Sequence, residues 1–100
     1  MIVLLGYIHL DPSDVNAFIA DVRTITPGTK AEMGCLFYSV TVDDASAGRV
    51  LVVERWQDQE SLAPHLESLE TTAFVKRWTG RMRSDVLKYD VSNARPLMGS

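Results

Sequence analysis

The sequence predicts a single α+β domain whose elements run strand, helix, strand, strand, helix, strand. Three observations predict it. One hundred residues leave room for one modest core and one domain. Four segments carry the β-branched, aromatic or alternating pattern of strands, and the stretches between them space apolar residues three and four apart, as helices do. The first and third strand segments are the most apolar, as they must be if they lie side by side in the middle of a sheet. That order is the ferredoxin-like one, with a four-stranded antiparallel sheet. Two helices can cover only one face of such a sheet. An apolar second face needs a partner, and a second copy of the chain is the simplest. The pattern therefore predicts a homodimer packed sheet against sheet.

Each element has its own signals. The first strand, Ile2 to Leu10, is apolar at almost every position and is expected to be covered on both faces. Asp11 is placed to cap a helix, with Pro12 at the first helical position. Val15, Phe18, Ile19, Val22 and Ile25 then form one apolar stripe. "TPG" at 26–28 is expected to break or kink that helix, with "TKAEM" adding a short further turn. Gly34 opens the second strand, "CLFYSVTV", and "DDASAG" reads as a polar hairpin loop into the third, "RVLVVERW". Asp58 can cap the next helix, whose Leu62, His65, Leu66 and Leu69 share one side and whose Pro64 should kink it. A further helical segment holds Phe74 and Trp78 four residues apart and stops at Gly80. The last strand runs from about Ser84 to Val91, with Leu87, Tyr89 and Val91 alternating. Residues 1–92 form the expected domain. Residues 93–100 lack periodicity and are expected to be a tail or arm.

Composition narrows the function classes. Apolar residues at 46% and charged residues at 23% describe an ordinary folded protein. A net charge of -3 argues against nucleic acid or an anionic membrane as partner. The longest apolar run, "MIVLLGYI", is far short of the roughly 20 residues that span a bilayer. No basic stretch or small-residue cleavage site marks it as a secretion signal. The lone Cys35 excludes an internal disulfide and suits a reducing cytoplasm, where the chain is expected to work. Gly-x-Gly-x-x-Gly is absent, and the two histidines show no metal-ligand spacing with the carboxylates.

Two stretches are more specific. "TKAEMGCLFYSV" and "GRVLVVERWQDQESLAPHL" together resemble the antibiotic biosynthesis monooxygenase domain. Thr29, Lys30, Ala31, Glu32, Gly34, Cys35 and Tyr38 match its first block, and Glu54, Trp56, Asp58, Leu62 and His65 its second. Met33 stands where the family usually has proline, and Pro64 precedes His65 where a better helix former is expected. The resemblance implies a dimeric α+β barrel and an oxygenase that needs neither cofactor nor metal. Such an enzyme oxidises small electron-rich aromatics (quinols, anthrones, polyketide phenols) with dioxygen. The heme-degrading branch uses a first-strand asparagine and a histidine on the helix after the tryptophan strand. Here the first strand carries Gly6, Tyr7 and His9 instead, and "TTAFVKRWTG" has no histidine. The rival readings are a dimer that binds a small aromatic without chemistry, and a non-redox polyketide cyclase or isomerase on the same scaffold.

On that resemblance His65 and Trp56 are the catalytic candidates, and Tyr7, Phe18, Phe74 and Trp78 the substrate-binding ones. Each has an ordinary alternative. His65 lies on a leucine-rich helix side, where a histidine is commonly structural; it is also the right group for a general base near neutral pH. Trp56 ends an apolar strand, so packing competes with a role as the wall of a cleft. Tyr7 can hydrogen-bond a phenolic oxygen or pack in a dimer interface. Phe18, Phe74 and Trp78 point from helices toward the sheet, as core residues do. Arg81, Arg83, His9, Asp43 and Asp44 read as surface residues, and Cys35 as a small buried hydrophobe.

Overall fold

A computed structural model describes residues 1–99; Ser100, the end of the expected tail, lies outside the described residues. Strand β1 (Ile2–Leu10) ends where Asp11 and Pro12 turn the chain. Asp11 accepts the Ser13 backbone N–H at 2.9 Å and starts a short 3-10 turn, Pro12–Asp14. Helix α1 (Val15–Ala31) follows, then β2 (Cys35–Asp44), β3 (Arg49–Trp56), α2 (Gln59–Glu67), α3 (Leu69–Trp78) and β4 (Met82–Asp90). The four strands make one antiparallel sheet in the order β2-β3-β1-β4, so the two most apolar strands are central.

Strand alternation sorts the sheet into two faces. Even-numbered residues of β1 and β3 (Ile2, Leu4, Ile8, Leu10, Val50, Val52, Glu54, Trp56) meet the helices, with Ile2 paired to Trp56 and Leu4 to Glu54. Odd-numbered residues form the opposite face, where Leu5, Tyr7, Phe37, Leu87 and Tyr89 stay exposed. The first strand is thus covered on one face within the chain. No helix among the described residues is long and apolar enough to cross a membrane.

The helix side holds two apolar clusters. One joins Leu10, Val15, Phe18, Val22, Val50, Phe74 and Trp78, with the Phe18 ring edge-on to Phe74 at 5.3 Å and to Trp78 at 5.0 Å. The other joins Ile2, Trp56 and Leu62. Gly6 lies between them on the floor, paired to Val52 and Val86, and a Cβ there would fall 2.1 Å from the Asp85 carbonyl oxygen.

Several expectations are corrected. The break at "TPG" is absent, and α1 runs unbroken with Pro27 inside it. Proline removes one helical hydrogen bond. Arg23 and Pro27 are exposed, so water can take the freed carbonyl, while Val22 and Thr29 stay buried on the sheet side. Leu66 and Leu69 do not share the buried side of α2. Leu66 lies half exposed on the rim of α2, and the chain turns extended at Ser68, whose hydroxyl caps α3 at Thr71, so that Leu69 starts a new helix facing outward; Leu62 and His65 stay inside. Strand β2 extends through Asp43 and Asp44, where Arg49 holds both carboxylates. Strand β4 begins at Met82, two residues early, because Gly80 (φ +86) releases the chain from α3. After Asp90 no strand or helix forms among the described residues, although Val91 and Met1 exchange two backbone hydrogen bonds.

Candidate active site

The site begins with the loop from α1 to β2. Glu32 ends α1 in an extended conformation, and Gly34 then takes φ +84, a region open to glycine. Gly34 lies so close to α2 that an added Cβ would fall 2.1 Å from Ser61 Oγ. Ser61 is itself fixed, because its N–H and its hydroxyl both donate to Asp58, the N-cap of α2. Gln57 N–H donates to the Gly34 carbonyl at 2.8 Å, and Cys35 N–H to that of Glu32 at 3.1 Å. These contacts set the end of α1 against the start of α2 and bring Glu32 over His65. His65 Nδ1 lies 3.0 Å from Glu32 Oε1, with the imidazole only 6% exposed.

Beneath His65 lies Trp56, fully buried, its ring 4.7 Å from the imidazole. The Trp56 indole N–H donates to Glu54 Oε1 at 3.0 Å, and that oxygen lies 3.9 Å from His65 Nε2. Tyr38 on β2 is edge-on to His65 at 6.4 Å. Burial pushes the Glu54 carboxyl above its usual range, against the pull of the indole hydrogen bond and of His65. Burial, with Glu54, Cys35 and Glu32 nearby, likewise raises the Tyr38 phenol above its usual range, so it stays a proton donor. Among the described residues the Tyr38 hydroxyl has no hydrogen-bond partner.

These polar groups end an apolar cavity of about 220 Å³ between helices and sheet. Ile8, Phe18, Val22, Ile25, Val40, Val52, Phe74, Met82 and Val86 form most of its wall, with His65, Glu54 and Tyr38 at the polar end. Leu66, Val75 and Ser84, the exposed members of the wall, mark its mouth over the β4 edge. A cavity near 150 Å³ accepts benzene, so this one takes one substituted ring or two fused rings. A larger hollow of about 510 Å³, at Leu66, Thr72, Val75, Lys76 and Thr79, is an open groove on the helical surface without a buried ionisable group. Among the described residues no three His, Cys, Asp or Glu side chains are arranged to hold a metal ion.

Of the sequence candidates, His65, Phe18 and Phe74 lie on the cavity wall. Trp56 stacks behind His65. Trp78 stands one layer back, packed on Phe18, and its indole N–H donates at 2.8 Å to Asp21, which also takes Arg77. Tyr7 is placed elsewhere, on the open sheet face under the Arg49 guanidinium. Glu32, Glu54 and Tyr38 join the site without having been singled out by their chemistry. Their signal was membership in the two matched blocks.

The fold and site can be set beside known proteins. Residues 1–77 match the family model described as antibiotic biosynthesis monooxygenase. An uncharacterised Synechocystis protein, sll1783, is 29% identical over 76 residues, which are 76% of this chain and 52% of that protein; the chain thus spans about half the length of this relative. Bacillus subtilis YcnE, named as a candidate monooxygenase, is 25% identical over 77% of this chain and 81% of its own. Among solved structures, a Deinococcus radiodurans protein described as a candidate antibiotic biosynthesis monooxygenase superposes with a TM-score of 0.85 at 22% identity, covering 99% of this chain and 100% of that one. A conserved Methanosarcina mazei protein gives 0.78 at 20% identity, covering 88% and 89%. At these identities the superpositions establish the shared fold.

Proposed function

The chain belongs to the antibiotic biosynthesis monooxygenase family, and from that premise we propose that it oxidises a small phenol or quinol with dioxygen, without a cofactor. The observation that carries this reading is a buried histidine on the wall of an aromatic-lined, apolar cavity sized for one or two rings. The substrate enters over Leu66 and Val75 with its ring against the Phe18 and Phe74 side of the wall and its oxygens toward His65, Glu54 and Tyr38.

The chemistry asks little of the protein. Dioxygen is a triplet and reacts slowly with closed-shell molecules, but a phenolate can hand it one electron. His65 Nε2 takes the phenolic proton. The phenolate passes an electron to dioxygen, and superoxide joins a ring carbon that bears hydrogen. The resulting hydroperoxide loses the ring hydrogen and the outer oxygen as water, with the proton on Nε2 returned to that oxygen. One oxygen atom stays as a new carbonyl. Substrate supplies both electrons and both hydrogens, so no external reductant is needed. Phe18, Val22 and Val52 keep water from the intermediate, and Tyr38 can donate to the oxygen where negative charge collects. The same reading assigns the open sheet face to a second copy of the chain.

The test is oxygen uptake by chelator-treated protein given one-, two- and three-ring quinols and phenols, with product masses and His65→Ala alongside. Uptake is expected with the one- and two-ring compounds, with a product that retains one added oxygen and a rate roughly 10²-fold lower in the variant. Ligand binding with no uptake on any compound would overturn the oxygenase and leave a binding protein or an isomerase.

A further inference from the structure

We propose that Glu32 is the positioning residue that makes His65 a base, by holding its imidazole in the tautomer that turns a bare Nε2 toward the cavity. The inference rests on the reading of His65 given above. An ionised carboxylate can only accept hydrogen bonds, so His65 Nδ1, 3.0 Å from Glu32 Oε1, carries the hydrogen. The lone pair is then on Nε2. The carboxylate nearest to it, Glu54 Oε1, is 3.9 Å away, too far for a hydrogen bond. Nε2 is thus left for a ligand in the cavity, whose wall His65 forms.

Glu32 is suited to this in a way that Glu54 is not. Its side chain is 28% exposed, against 11% for Glu54, and it borders a second, polar hollow with Thr24, Thr29, Ser68 and Glu70. Water can therefore solvate the carboxylate from outside while His65 stays enclosed. The charge is available to the imidazole from the side away from the cavity. When Nε2 takes the substrate proton, the imidazolium keeps its Nδ1–H on Glu32. When Nε2 gives that proton to the outer peroxide oxygen, the ring returns to its starting tautomer. The same logic holds for carboxylate-oriented histidines in hydrolases, where an amide in place of the carboxylate permits the wrong tautomer. The "TKAEMG" stretch then has a physical purpose. Gly34 lets the loop close on Ser61, and that closure delivers Glu32 to His65.

Long-range ¹H–¹⁵N correlation spectra of the two histidines, taken at about pH 8 so that ordinary histidines are neutral, read the tautomer without any substrate; His9→Gln assigns the signals. The wild type is expected to show Nδ1–H at His65. Glu32→Gln and Glu32→Leu should each move the tautomer ratio toward Nε2–H by about tenfold or more. With an accepted substrate, both variants should lose roughly 10²-fold in kcat while KM changes little. An unchanged tautomer in both variants, or two protonated nitrogens in the wild type, overturns the proposal. So does a shifted tautomer with undiminished kcat. A shifted tautomer in a protein that consumes no oxygen with any compound sinks the oxygenase reading and leaves Glu32 as the residue that orients His65.

Discussion

Glu54 bears a carboxylate in a wall that is otherwise mostly apolar, and such a group is stable there only with partners. One partner is the Trp56 indole N–H at 3.0 Å; His65 Nε2, 3.9 Å away, is the other polar group facing it. Burial is the larger effect and raises the carboxyl above its usual range. A raised folded-state value means that Glu54 favours the fold fully at pH below its unfolded value, ordinarily about 4.3, and that this contribution is lost as pH climbs through the raised value. Glu54→Gln keeps an oxygen for the indole and removes the charge. Urea unfolding across that range should therefore show a variant equal to or about 1 kcal/mol more stable than wild type near neutrality, with a flatter pH dependence. A variant about 2 kcal/mol less stable would show instead that the charge is needed to hold His65 and Trp56. The aromatic part of this site was legible in the sequence because Phe18 and Phe74 lie on apolar helical stripes that must face the sheet. Of its polar part, His65 was singled out but its partners Glu32, Glu54 and Tyr38 were not. Glu32 and His65 are 33 residues apart and meet only through the closure of a loop. Tyr7 was left between a substrate contact and an interface for a related reason: a strand apolar at nearly every position does not reveal which residues face the helices, and only the pairing of Gly6 with Val52 settles it.

Elements in this fold are set mainly by their ends. Asp11 with Pro12, Gly48 before Arg49, and Asp58 before Gln59 are strong local signals, and the limits of β1, β3 and α2's start follow them. Where tertiary packing decides, the local signal fails. Pro27 does not end α1, because residues on both sides of it stay seated on the sheet. The serine cap at Ser68 divides what reads as one leucine-rich face. The junction most exposed to test is Gly34, where positive φ and contact with α2 coincide. Gly34→Ala imposes a left-handed conformation on a residue with a Cβ and drives that atom into Ser61. Thermal or urea unfolding should show a loss of about 2 kcal/mol or more. The surviving folded protein should also show the His65 tautomer shift expected of the Glu32 variants, since the loop can no longer carry Glu32 home. Loss of stability with an unchanged tautomer would separate the loop's closure from the orientation of His65.

At the scale of the whole chain, the two faces of the sheet have different fates. The helices cover one and enclose the cavity. On the other, Val53, Leu5 and Leu87 stand in one row across β3, β1 and β4, flanked by Phe37, Tyr7 and Tyr89. Leu5 is 42% and Leu87 58% exposed in the single chain. A contiguous apolar face of this kind is costly in water and is the usual mark of an interface. Nothing on it belongs to the cavity, so the chemistry and the association can be separated by mutation. Leu5 sits on a central strand, and in a two-fold dimer its replacement by arginine buries two like charges across the same seam. Leu5→Arg is expected to weaken self-association by roughly 10²-fold or more, read by sedimentation as a shift from twice the chain mass toward the single chain mass. The wild type is expected at twice the chain mass under the same conditions. The His65 tautomer should be the same in both, because Leu5 points away from the helices. A wild type that sediments as a single chain would remove the second copy from this face. A Leu5→Arg protein that still doubles would place the contact on other residues. Monomer formation with an unchanged His65 signal would establish that each chain holds a complete cavity and that pairing serves to cover the sheet.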